Sequence, residues 1–295
     1  MTAAPRPLSS VTRPRRLRWA RALNAGLVYV LLIAIALFAL FPFVWTLAIS
    51  ITDKTVKSGV SIYAFPQSLF PRAVTLQNFA EVFTTFSLAK YLWNSIIIAV
   101  ATVVGTLAVS ALAAYPLSKL RFPGRELIFG AVLATLVLPT ETSFIVNILT
   151  LNGLGLLGTY GGVVLPVIAT AFGIFVMRQA YLSVPDALLE AARIDGATEL
   201  QILWRIMLPL SIPSLTALGI FTLVNTWNAY FWPSVALLTN ENLQPLAVAM
   251  LKLKGQFNYD PFNIAAGAMI LMLPVLTVFV LTQRLFMRGL DGAVK

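Results

Sequence analysis

The stretch "EAARIDGATELQILWRIMLP" occupies residues 190–209, and its charge is out of keeping with its surroundings. It carries Glu190, Arg193, Asp195, Glu199 and Arg205, while charge-free runs cover 142–177 before it and 206–240 after it begins to fade. A polar, helix-forming stretch needs a reason in a chain that is 59% hydrophobic and 11% charged. Soluble domains carry about 25% charged residues, and the mean hydropathy here is +0.86. With so little charge to cover a surface, the chain has the bilayer as its main solvent.

Composition also excludes. Cysteine and histidine are absent, which removes disulfides, thiolate nucleophiles, imidazole acid–base chemistry and the usual zinc sites. The net charge of +10 does not indicate nucleic acid, because the basic residues flank apolar runs. That arrangement is a membrane topology signal.

A spanning helix needs about 20 mostly apolar residues. Charge-free intervals run over 22–52, 91–118, 142–177, 206–240 and 261–283, and a further candidate begins after Glu126 and is interrupted by Glu141. Within 142–177, "NGLGLLGTYGG" (152–162) is a glycine-rich turn signal. The expectation is an all-α protein with six spans near 24–49, 92–116, 126–146, 160–178, 209–231 and 263–284. "RPRRLRWAR" (13–21) fits the basic start of a signal peptide. The apolar run from Gly26 to Ile51 exceeds the roughly 7–15 residues of a signal core, so a true span is the reading.

Orientation follows from Lys and Arg. The N-terminal tail holds Arg6, Arg13, Arg15, Arg16, Arg18 and Arg21; the 117–126 loop adds Lys119, Arg121 and Arg125. Arg178, Arg193 and Arg205 follow, then Arg284, Arg288 and Lys295, giving 15 on one face. The other face has six, namely Lys54, Lys57, Arg72, Lys90, Lys252 and Lys254. Both termini and the polar stretch are therefore expected in the cytoplasm. The implied organisation is a basic tail at 1–24, a transmembrane domain at 25–285 and a C-terminal tail at 286–295. The membrane domain holds the polar helical segment at 183–208 and outer loops at 50–91 and 233–261.

Residues 183–207 read as two short helices joined by a glycine. "SVPD" (183–186) offers Ser183 as an N-cap, with Pro185 in the first turn. Leu188, Leu189 and Ala192 share a face, and Gly196 supplies the left-handed residue that ends a helix cheaply. "TELQ" (198–201) is a second capping box, followed by Leu200, Leu203 and Met207 at helical spacing. Such a segment is ordered and too polar to insert. It is either an amphipathic linker resting on lipid headgroups or a docking element for a cytoplasmic protein, with Ala191, Ala192 and Gly196 permitting close approach.

"EAARIDGA" (190–197), closed by Ile206, Leu208 and Pro209 in "RIMLP" (205–209), resembles the EAA loop of ATP-binding-cassette (ABC) importer permeases. Further stretches resemble the carbohydrate branch of that family, the shorter, maltose-like second permease type. They are "YLWNSIIIA" (91–99), "AAYPLSKLRFPGR" (113–125), "NGLGLLGTYGGVVLP" (152–166), "NTWNAYFWP" (225–233) and "QRLFMRGLDGAVK" (283–295). The resemblance implies a six-span type I permease whose loop is the coupling helix, seated in a groove of the ATPase subunit. It assigns that contact to Glu190, Ala191, Ala192, Asp195, Gly196, Leu208 and Pro209. It also implies the partners: a second homologous permease, an ATPase dimer that binds the ATP and Mg, and an extracytoplasmic solute-binding protein reached by the 233–261 loop. "VTLQNFAEVF" (74–83) resembles a family segment on the outer surface. No Gly-Lys dipeptide occurs, so the chain lacks the G-x-x-x-x-G-K-[ST] phosphate loop, and no cofactor is expected on it.

Residues for a substrate path are fewer. Glu141 in "LPTE" (138–141) is an acid at membrane depth, a functional candidate by default unless it reaches water at the span's end, and Asn147 shares its position. Asn225, Trp227, Asn228, Tyr230 and Trp232 crowd the outer half of the fifth span. Amides beside aromatic faces suit a sugar, with its hydroxyls and apolar C–H faces; interface anchoring or helix-to-helix bonding is the alternative. The expected function is a non-enzymatic permease for an oligosaccharide or related sugar, working by alternating access, with glycerol phosphate or another polyol derivative as the alternative cargo. A secondary transporter would place more ionisable groups in its spans, and a membrane enzyme would cluster its carboxylates.

Overall fold

The computed structural model describes residues 15–54, 65–139, 143–255 and 260–293. Glu141 lies outside these, as do parts of both tails and of both outer loops. The described residues are mostly helical, and the one isolated β-bridge among them joins Thr52 and Val74.

Helix α1 (Arg15–Ser50) contains the apolar run Asn24–Ser50, as expected for the first span. Its large side chains stand exposed almost all round, Phe38 at 84%. A helix apolar on every side belongs in lipid or against another membrane protein. Past α1, helix α2 (Gln77–Thr85) lies across its end. The fully buried Asn78 donates through Nδ2 to the carbonyls of Ser50 and Thr52, both at 2.9 Å, satisfying acceptors that a helix terminus leaves open. Lys54 bonds Glu81 on α2 and Asp260, the latter at 3.0 Å. This ties the end of α1 to the start of α14 (Pro261–Ala293).

The second expected span is a single helix, α3 (Leu88–Lys119), of 32 residues, about 48 Å long at 1.5 Å per residue. Every fourth residue along it is buried: Asn94, Ile98, Thr102, Thr106, Ser110, Ala114 and Ser118. That stripe of small and polar residues lets neighbours approach closely, and α3 packs against α6, α7 and α11. The approach is tightest at Gly173, where an added Cβ would lie 2.2 Å from Ser110 Oγ.

The third expected span, near 126–146, is not one helix. Helix α4 (Arg125–Ala134) tightens into a 3-10 turn at Thr135–Val137 and then stops. Leu138 is extended, with ψ 129°, because the ring of Pro139 disfavours helix in the residue before it. A separate α5 (Phe144–Gly153) follows, and the glycine-rich turn comes after it. The fourth span is bent by 47° between α6 (Tyr160–Ile168) and α7 (Ala171–Leu182). There Thr170 caps the second piece by accepting from Gly173 N–H at 3.1 Å.

The fifth expected span, near 209–231, begins at a sharper bend. Glu199–Leu210 meets α11 (Ile212–Asn228) at 78°, with Pro209 and Pro213 either side of the corner. Short helices α12 (Phe231–Ala236) and α13 (Leu246–Gly255) form the loop beyond. The sixth expected span is the apolar part of α14, Pro261–Thr282. Three described helices are thus long and apolar enough to cross a membrane, or up to five if each bent pair counts as one span.

Candidate functional site

The polar segment folds as two short helices around a glycine. Helix α8 (Asp186–Ile194) ends at Asp195, and Gly196 takes φ +82°. Helix α9 (Glu199–Ile202) then begins with the expected capping box: Gln201 N–H donates to the Thr198 hydroxyl, and Thr198 N–H donates to Gln201 Oε1. A π-helical turn at Leu203–Met207 and the one-turn α10 (Leu208–Leu210) continue it. π-Turns are rare and concentrate at functional sites.

One local expectation is corrected. Ser183 does not cap α8; it closes α7, and its hydroxyl donates to Ala180 O at 2.7 Å. The residue before α8 is Pro185, which brings no side-chain acceptor. Asp186, in the first turn, instead accepts from Lys119 Nζ at 2.5 Å. Lys119 also donates to Val184 O at 2.6 Å, and this pairing holds the Asp186 carboxyl below the ordinary carboxylate range.

The segment has two unlike faces. Leu189, Ile202, Leu203 and Met207 are buried in one cluster with Ala114, Tyr115, Met177 and Tyr181. Polar contacts reinforce that inner face. Arg193 donates to both oxygens of Glu199, at 2.8 and 3.2 Å, and the Tyr115 hydroxyl donates to Glu199. The Arg193 bond first, opposed by partial burial, holds Glu199 below its ordinary pKa. Next to this cluster, Arg178 on α7 is nearly buried. It donates to Leu117 O at 2.9 Å and to both carboxylate oxygens of Glu126 at 3.0 and 3.1 Å, and its guanidinium lies 3.9 Å from the Phe129 ring centre. None of these pairings was visible in the sequence, although Tyr115 and Lys119 stand in the quoted "AAYPLSKLRFPGR".

The outer face is free within this chain. Glu190, Ala191, Asp195, Gly196 and Pro209 are exposed, Ala192 and Leu208 are half-buried, and Ile194 is 86% exposed. Leu188, expected to share a face with the buried Leu189, is 47% exposed, and Leu200 is 59% exposed. Apolar side chains thus stand out among charges.

Further along the bundle, α3, α6, α7, α11 and α12 enclose a cavity of about 320 Å³. Ile98 and Thr102 of α3 face Val163 and Val167 of α6, with Thr170 and Phe172 at the kink into α7. Leu218, Phe221, Thr222, Asn225 and Thr226 come from one side of α11, and Ala229, Trp232 and Pro233 complete the wall. The structure therefore brings Asn225 and Trp232 together. Asn225 Nδ2 donates to Phe221 O at 2.8 Å within its own helix, and Trp232 Nε1 donates to Val163 O at 3.1 Å.

The remaining path candidates stand apart from the cavity wall. Trp227 is buried, and its indole N–H donates to Leu271 O of α14 at 2.8 Å. Asn228 is exposed and donates to Val224 O, and Asn147 is half-buried on α5. The wall threonines Thr102, Thr170, Thr222 and Thr226 were missed, because threonine in an apolar helix carries no signal of its own.

Long apolar helices, a polar segment clamped to one end of them and a cavity between them define an all-α membrane protein built for transport. The chain belongs to the family of binding-protein-dependent transport system inner membrane components, which matches residues 106–292. It is 36% identical to the sn-glycerol-3-phosphate transport system permease protein UgpE of Yersinia enterocolitica, over 90% of this chain and 96% of the relative. It is also 36% identical to the arabinooligosaccharides transport system permease protein AraQ of Halalkalibacterium halodurans, over 88% and 93%. A bacterial ABC transporter involved in import of the acidic polysaccharide alginate superposes with TM-score 0.77 at 29% identity, covering 95% of this chain and 99% of that one. Membership makes this chain an inner-membrane transport subunit and not an enzyme, as its motifs led us to expect.

Proposed function

We propose that this subunit moves a carbohydrate into the cell by alternating access, as one of two permeases driven by a separate ATPase dimer and fed by a solute-binding protein. The relatives' names support a sugar or sugar-like cargo. The observation that carries the mechanism is the two-faced coupling segment. Its inner face is buried and clamped to α3, while Glu190, Ile194, Asp195 and Gly196 project from the bundle. An apolar Ile194 beside acids gains little from water or lipid headgroups, and gains most in a groove of a protein partner. ATP and Mg belong to that ATPase. In this reading the chain crosses the membrane six times with both ends inside, α4 and α5 together supplying the third crossing.

Glu190→Lys and Gly196→Leu test the docking. A charge-assisted bond in a partly desolvated groove contributes about 1.5–3 kcal/mol, and the lysine replaces attraction with repulsion. At Gly196 the φ of +82° strains any β-carbon residue although the space is open. Both variants should insert normally, lose copurification with the ATPase or hydrolyse ATP without transport, and take up no sugar. A single Ala197→Cys should react with an impermeant reagent only from inside. Normal assembly and uptake in both variants would return the segment to a surface linker.

A further inference from the structure

We propose that the cavity of this subunit selects an uncharged, hydroxyl-rich solute and rejects phosphorylated and uronic-acid solutes. The inference rests on the importer reading and narrows it, against what two of the relatives' names describe.

The chemistry of the wall carries it. Among the described residues, none that lines the cavity is ionisable; the wall offers threonine hydroxyls, one amide and aromatic rings in an otherwise aliphatic surface. One Asn225 N–H is committed to Phe221 O, which leaves its second N–H and its amide oxygen to donate to and accept from a solute hydroxyl. Trp232 has its N–H committed to Val163 O, so toward a solute it offers its ring rather than a donor. Phe172 and Phe221 pack with ring centres 4.7 Å apart, presenting aromatic surface for the C–H face of a pyranose or furanose. Thr222 and Thr226 of α11 are half-buried on the same wall. The volume of about 320 Å³ falls at the lower end of the roughly 300–1,000 Å³ of small-molecule sites.

An anion would meet the opposite conditions. A phosphate or carboxylate leaving water for this wall finds no lysine or arginine, and burying a charge without a partner is among the costliest steps in protein energetics. A helix N-terminus can substitute for a cation, and the start of α7 borders the cavity. Its Gly173 N–H is already taken by the Thr170 hydroxyl. A neutral sugar loses only hydroxyl–water bonds, which threonine and asparagine can replace.

The test uses cells carrying the whole importer, offered radiolabelled neutral oligosaccharides, sn-glycerol 3-phosphate and uronate oligomers in parallel. Uptake of a neutral sugar and of neither anion is expected. Asn225→Leu and Thr222→Val should then lower that uptake about tenfold, the equivalent of one hydrogen bond, with ATPase copurification and the binding protein's own affinity unchanged. Thr222 is half-buried on the wall and valine keeps its size and branching, so unchanged copurification separates a transport defect from a folding defect. Uptake of either anion by the wild type overturns the selectivity while leaving the importer reading intact. Unchanged neutral uptake in both variants shows that this wall does not touch the solute and overturns it equally. If no member of either series enters, the importer reading falls and this inference falls with it.

Discussion

The polar segment at 183–210 and the cavity sit on the same helices and are built on opposite principles. The segment is seated on an apolar cluster and pinned by charge: Lys119 to Asp186, Arg193 to Glu199, and Arg178 to Glu126 beside it. The cavity is held by shape, with glycine, serine and threonine allowing α3, α6, α7 and α11 to close around a space with no ionisable wall residue among those described. The difference follows from the solvent at each place. Near water, ion pairs form at small desolvation cost and fix one geometry; within an apolar layer each would cost more than it returns. Helix α3 joins the two regimes, with Thr102 in the cavity wall and Tyr115 and Lys119 in the clamps.

The largest expected effect comes from breaking the close-packed regime. Gly173→Val places a branched side chain where even a Cβ would lie 2.2 Å from Ser110 Oγ and 2.8 Å from Thr170 Oγ1. Overpacking of this kind costs about 1–3 kcal/mol, occasionally more. The solubilised permease should lose thermal stability or fail to accumulate, and adding Ser110→Ala should recover part of the loss. Unchanged stability of the single variant would mean that α3 and α7 are not in rigid contact.

The contrast explains what the sequence made legible. The coupling segment could be read because its rules are local: a capping box within 198–201, a glycine at φ +82°, and charge confined to one stretch. Its clamps could not, because Lys119 and Asp186, or Tyr115 and Glu199, are joined only by the tertiary fold. The cavity gathers residues from Ile98 to Pro233, and no periodicity within one helix announces that. Asn225 and Trp232 stand in the cavity wall and are conspicuous in sequence as an amide and an indole in apolar helices; Trp227 is equally conspicuous but bonds α14 instead. Counting charge-free residues gave helix positions but passed over prolines. Pro139 ends the α4 turn, and Pro209 and Pro213 flank the 78° corner, so the continuous third span was wrong in form.

A gentler change sharpens the distinction between holding the segment and docking it. Glu199→Gln removes the ion pair with Arg193 and weakens the bond from Tyr115 while keeping the shape. With the Glu199 side chain 44% exposed, the loss is that of a half-solvated pair, about 1 kcal/mol or less. The ATPase should still copurify, since Glu190 and Gly196 are untouched. The amount of sugar moved per ATP hydrolysed should fall, because the segment then shifts without carrying α3 with it. An unchanged ratio would show that the apolar cluster around Leu189, Ile202 and Met207 transmits the motion unaided.

The smallest effect separates the two regimes by pH. Asp186 and Glu199 are both held below their ordinary carboxylate values, by Lys119 and by Arg193 respectively. A carboxyl whose pKa is lowered on folding stabilises the native state above its unfolded value and loses that contribution as pH falls through the folded one. Both clamps are therefore fully formed near neutrality, and the small stability gap between wild type and Glu199→Gln should stay constant down to the ordinary glutamate value of 4.5. Below it the gap should close as Glu199 protonates in the wild type, since a neutral acid and a glutamine are then alike toward Arg193. The cavity has no ionisable wall group, so the transport defect of Asn225→Leu relative to wild type should not vary over the neutral range. Thermal denaturation of both proteins from about pH 7 to pH 4, with uptake by the Asn225 variant at the upper end, measures both. A gap that narrowed well above 4.5 would mean that Glu199 is not held by Arg193 in the membrane-embedded protein, and the charged clamp would lose its place in the comparison.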